Sequence, residues 1–122
     1  MIASTSSTET DCRAMIVRLR QPDSRYPDLT PDQPYVVLGI EADDLRILND
    51  QGRPYLYPNE LFTLVDPREP ADWVSALGED RKRYAYPPPL NDDGFFEDYF
   101  DGKPEAVATF WRVMNQRLSA AA

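Results

Sequence analysis

The side chains best placed to do chemistry are five carboxylates crowded towards the C-terminal end: Asp92, Asp93, Glu97, Asp98 and Asp101. No basic residue interrupts the stretch from Ala85 to Gly102. If residues 93–101 are helical, Asp93, Glu97 and Asp101 stack on one face at i, i+4 and i+8. Like charges at that spacing repel by about 0.2–0.5 kcal/mol per pair. The early acids regain part of this by facing the helix N-terminus. Such a face would hold a cationic partner, and the same pattern also describes a solvated helix face beside a capped N-terminus. Aromatic residues interleave with the acids: Phe95, Phe96, Tyr99 and Phe100, with Tyr84 and Tyr86 just before. One pair that shares a helical side, Phe95 with Tyr99 or Phe96 with Phe100, is expected to pack inward. The other pair then becomes available as an anchor, since rings dominate interface hot spots; the same spacing also fits a core that takes in all of these rings. The residues expected to bind a partner are Asp92, Asp93, Phe96, Glu97, Asp98, Tyr99 and Asp101.

Other chemistries are excluded or weakly supported. The chain has no histidine, so it carries no Ser-His-Asp or Cys-His machinery and no imidazole metal site. Its single cysteine, Cys12, rules out an internal disulfide or a thiolate zinc cluster. An EF-hand fails because the position five before Gly94 is Pro89 rather than an acid. A carboxylate pair for glycoside hydrolysis is a nearly empty signal among 21 acids. We therefore expect no enzyme, no cofactor and no metal. Acids outnumber bases 21 to 13, giving a net charge of −8 spread evenly over both halves. A nucleic-acid or anionic-membrane ligand is disfavoured, because both need a basic surface. The one basic run, Arg81-Lys82-Arg83, is short, ringed by acid, and reads as a solvated turn. A basic protein partner fits the charge. The start of the chain lacks a basic region followed by an apolar one, so a cytoplasmic location is expected.

The elements that must position the acids follow from hydropathy and proline. With 12 prolines, about twice average usage, and 5 glycines, the chain favours short elements and stiff turns. Residues 1–12 read as a frayed Ser/Thr-rich tail, and 13–122 as a single domain. Alternating or β-branched apolar runs predict five strands at residues 13–20, 35–41, 45–48, 53–57 and 61–65. Between the first two lies a loop with Pro at 22, 27, 31 and 34. Gly52 supplies a positive φ to the 49–52 turn. A short helix is expected at residues 70–77, then a charged turn and an extended Pro-rich strap over residues 84–90. A second short helix follows at 93–100. A C-terminal helix opens at Pro104, running to about Leu118. Val107, Phe110, Trp111, Met114 and Leu118 form its apolar stripe, with packing through Phe110, Trp111 and Met114. Trp73, Trp111 and Tyr57 are expected at the core edge. The fold class is mainly β with helices (α+β): a barrel over 13–66, a helix and strap over 67–102, and a helix over 103–120.

Residues 29–65 read LTPDQPYVVLGIEADDLRILNDQGRPYLYPNELFTLV. A Leu-Thr entry, a strong strand, a second strand ending in Asn-Asp-x-Gly, a third strand, and a one-turn link before the last resemble SH3-like barrels. That likeness implies a small five-stranded barrel in which one 3₁₀ turn separates the final strands. The ALYDY-like opening of peptide-binding SH3 domains is missing. The longer stretch 26–101 adds Asp72-Trp73-Val74, Tyr84-Ala85-Tyr86-Pro87 and the run from Gly94 to Asp101. It resembles small acidic bacterial immunity proteins of polymorphic-toxin and contact-dependent competition systems. This second likeness implies a non-enzymatic cytoplasmic inhibitor that occludes the active site of a cognate toxin, for which a nuclease or a nucleotide-using enzyme is a natural choice. It transfers no catalytic residue. A different reading of the same chain is an adaptor that uses the barrel edge or the C-terminal helix to join a larger assembly, such as a secretion system.

Overall fold

Proline spacing and β-branched runs set where this chain is extended, as seen in a computed structural model that describes residues 14–121. The expected tail at 1–12 lies outside the described residues. The five expected strands are present: β1 Ile16–Leu19, β2 Pro34–Glu41, β3 Asp44–Leu48, β4 Pro54–Pro58 and β5 Phe62–Asp66. A single 3₁₀ turn, Asn59–Leu61, separates β4 from β5. Two strands were not expected: β6 Val74–Leu77 and β7 Arg83–Tyr86. The chain then makes a 3₁₀ turn at Pro88–Leu90 and two helices, α1 Phe95–Phe100 and α2 Pro104–Ala121.

All the pairings are antiparallel, in the order β4-β3-β2-β1-β5, with β7 joining β2 and β6 joining β7. The sheet has seven strands, not five, and is not closed. The helix expected at residues 70–77 is a correction. Trp73 N–H closes a turn on Pro70 C=O at 3.3 Å, and Val74–Leu77 pairs register for register with Tyr86–Arg83. The neighbouring Tyr84-Ala85-Tyr86 run supplies a ladder that outweighs local helix propensity. The same pairing converts the first part of the expected strap into β7.

β2 is the spine. One edge pairs with β3; the other pairs with β1 through Pro34–Val36 and with β7 through Ile40 and Glu41. Its faces serve two cores, which is why YVVL runs apolar without alternation. Tyr35 and Val37 join Val17, Leu19, Leu29, Leu45, Ile47, Tyr57 and Phe62 in a first core, built from β1–β5 and the Pro-rich loop. Leu38 joins Tyr86, Leu90, Phe95, Ala106, Phe110, Val113 and Met114 between the sheet and the helices. Gly39 is required by contact: a Cβ there would sit 2.2 Å from the Tyr86 ring, which crosses the strand at that point. Gly52 holds φ +76° in the β3–β4 turn, as expected.

The Pro-rich loop is stapled to that hairpin. Tyr57 Oη and Asn49 Nδ2 donate to Asp28 at 2.7 and 3.0 Å. Tyr35 Oη and Thr30 Oγ1 donate to Asp50 at 2.7 and 2.6 Å. Tyr57 thus lies inside the first core, not at its edge, while Trp73 packs half-buried against it. α2 also turns differently from the expected stripe. Ala106, Phe110, Val113 and Met114 are buried, Val107 is half-buried, and Trp111 is 37 % exposed. The small and β-branched residues let the helix lie close to Leu38 and Leu90. The Trp111 ring is left to stack edge-on against Phe110 at 5.1 Å.

Candidate functional site

α1 is only six residues long, and its placement depends on what lies beneath it. Phe95 is buried and Phe96 half-buried. The Phe96 ring meets those of Phe95, Tyr86 and Phe110 at 5.1, 5.3 and 6.3 Å. The Arg46 guanidinium lies 4.0 Å from the centre of the Phe96 ring, a cation–π contact inside the protein. Arg46 itself is 7 % exposed. Its nitrogens donate to Tyr86 Oη (2.9 Å), Pro54 C=O (2.9 Å) and Glu41 Oε2 (2.7 Å). Tyr86 Oη in turn donates to the same Glu41 oxygen. Burial pushes the Tyr86 phenol well above its ordinary pKa, and the bond to Glu41 adds to this while Arg46 opposes it. This buried cation, satisfied on every side, ties β2, β3, β4 and β7 to α1.

The expected binding residues divide into two sets. Asp92, Asp93, Glu97 and Asp101 are exposed, and none has an ion-pair partner among the described residues. Asp98 is instead paired with Lys103 at 3.0 Å, and the carboxylate raises the Lys103 pKa. Phe96 faces inward as described. Tyr99 is half-buried, its ring 4.7 Å from that of Phe110, and burial raises its phenol pKa. The exposed ring of α1 is Phe100 (43 %), packed 5.7 Å from Tyr55 of β4, itself 38 % exposed. Successive helical residues turn by about 100°. Glu97, Phe100 and Asp101 therefore share one solvent-facing stripe. Tyr55 was missed by the sequence reading. Its contact with Phe100 spans 45 positions, and no local spacing announces it.

Beside this stripe lies an open cleft of about 490 Å³ between α1 and the β6–β7 hairpin. Asp92, Asp93 and Glu97 form one wall; Ala76, Tyr84 and Glu41 form the other side. Where the two cores meet, the apolar void is about 10 Å³, too small for a ligand. Among the described residues, no group of three or more His, Cys, Asp or Glu is placed to hold a metal ion, and no helix is long and apolar enough to cross a membrane. No buried side-chain polar atom among them lacks a hydrogen-bond partner. The chemistry this surface offers is attraction and stacking: four open carboxylates, two open rings and an acidic cleft. Comparison with protein-family models, curated proteins and solved structures finds no match for the chain.

Proposed function

We propose that this chain is a non-enzymatic immunity protein. In this reading it acts in the cytoplasm and blocks the active site of a cognate bacterial toxin by occupying a basic cleft. The observation that carries the reading is the open stripe of α1, where Glu97 and Asp101 flank Phe100 and the Tyr55 ring lies 5.7 Å away. Rings supply affinity at an interface core. Carboxylates around them supply rate and specificity towards a cationic surface. A toxin that handles nucleic acid or nucleotides needs a positive cleft, which makes it a natural target. The β1–β5 portion, with its 3₁₀ turn before the last strand, is consistent with an SH3-like barrel elaborated by the β6–β7 hairpin and two helices.

The test recovers the partner from the native host with tagged chain and then titrates the partner's activity. Wild-type chain should abolish that activity near one equivalent. The variant Glu97→Lys/Phe100→Ala/Asp101→Lys should inhibit about 100-fold less well. Asp98 is left intact so that its pair with Lys103 is not disturbed. A partner whose activity is untouched by saturating chain would favour the adaptor reading. A triple variant as potent as the wild type would remove α1 from the mechanism.

A further inference from the structure

β6 is a terminal strand that pairs only with β7. β4, another terminal strand, is bracketed by Pro54 and Pro58. β6, with the sequence Val-Ser-Ala-Leu, has no proline and no charge, and its register shows no bulge. Natural edges normally carry such guards against strand addition. All four residues are exposed, Val74 by 43 % and Leu77 by 72 %.

The hydrogen bonds identify the open groups. Ala42 N–H donates to Arg83 C=O at 2.9 Å, so Arg83 and Ala85 turn their backbone groups towards β2. Tyr84 and Tyr86 consequently face β6, where they pair with Ala76 and Val74. That leaves Ser75 and Leu77 with N–H and C=O directed to the outer edge. The two faces of β6 differ. Ala76 lines the acidic cleft with Asp92, Asp93 and Glu97, and its methyl group obstructs little. Leu77 presents apolar surface on the opposite face.

We propose that this edge receives an extended segment of the partner in which basic and apolar residues alternate. The inference rests on the cationic partner proposed above and adds the manner in which it docks. The incoming backbone pairs with Ser75 and Leu77. Side chains opposite Val74 and Ala76 fall on the cleft face, where lysine or arginine meets the carboxylates. Those opposite Ser75 and Leu77 fall on the other face, where an apolar residue covers Leu77. Main-chain bonds supply affinity in such strand addition, and alternate side chains supply specificity.

The probe is an end-capped octapeptide of alternating lysine and valine. On binding, the Ser75 and Leu77 amides of the wild-type chain should exchange at least tenfold more slowly. A glutamate–valine peptide, or the lysine–valine peptide N-methylated at every second residue, should not bind. Leu77→Pro, which removes the outward N–H along with the side chain, should weaken binding at least tenfold and by more than Leu77→Ala, which keeps the N–H. The proposal is overturned by no binding up to millimolar peptide, by binding without protection of Ser75 and Leu77, or by equal binding of the glutamate peptide. The recovered partner separates the two readings. If Leu77→Pro inhibits it as well as wild type while the α1 variant fails, strand addition falls and the immunity reading stands. If wild-type chain does not inhibit it at all, the immunity reading falls first.

Discussion

Arg46 is the residue on which the placement of α1 turns. A guanidinium this buried is tolerable only because each nitrogen finds an oxygen and one face finds the Phe96 ring. Removing it takes the cation from beside the half-buried Glu41 carboxylate, leaves the Pro54 carbonyl without its donor, and leaves Tyr86 Oη bonded to Glu41 alone. Arg46→Met should therefore cost about 2–3 kcal/mol in chemical denaturation, and Phe96 should lose its fixed environment in aromatic NMR shifts. The buried tyrosines carry a pH dependence of opposite sign to acid unfolding. Burial raises the folded-state pKa of both Tyr57 and Tyr86. Their contribution is fully present below the unfolded value of about 10. It is lost as pH rises from there towards the folded-state values, because only the unfolded chain ionises first. Alkaline denaturation should begin near pH 10, and the double variant Tyr57→Phe/Tyr86→Phe should flatten it. Absorbance at the phenolate band should show Tyr57 and Tyr86 titrating only with unfolding.

At the scale of elements, the edge geometry of β6 makes adjacent positions behave oppositely. Proline at Ala76 removes a ladder bond to β7 and should destabilise the fold by about 3 kcal/mol. Proline at Leu77 removes an outward donor and should leave the melting temperature within a few degrees of wild type. Differential scanning calorimetry of the two variants checks this. The β1–β5 strands were legible because each carries its own alternation or β-branching, with proline or glycine marking its ends. β6 was not, because Pro70 followed by Ala-Asp-Trp-Val-Ser-Ala-Leu and a closing Gly78 has local helix grammar. Only β7, reached through a turn with Arg81 at φ +63°, makes it a strand. The stripe of α2 was misread by a fraction of a turn for a similar reason. Trp111 outweighs Ala106 in hydrophobicity, yet the small residue is the one that fits against the sheet. The acids of α1 were legible as a cluster. Which ring stood beside them was not, since Tyr55 arrives from β4.

For the whole molecule, the charge of −8 should dominate the approach of a cationic partner. The association rate should fall about tenfold between 50 and 500 mM salt, while dissociation changes little, as stopped-flow mixing would measure. A salt-independent association rate would place the interface on apolar surface alone. The two hydrophobic clusters should nonetheless melt together. β2 contributes Tyr35 and Val37 to one and Leu38 to the other, so neither survives the loss of the shared strand. Fluorescence of Trp73 and Trp111, which report on different clusters, should give coincident transitions.

That shared strand also separates two groups of side chains that can change apart from each other. Val37 belongs to the cluster of Leu29 and Tyr57, Leu38 to that of Phe110 and Met114, and the two clusters share no buried residue. Repacking beneath the helices can therefore take place one residue along β2 from the first cluster while every member of that cluster keeps its place. For the toxin inhibitor proposed above, this means that the ground under the helical face can be remade while the scaffold stays the same.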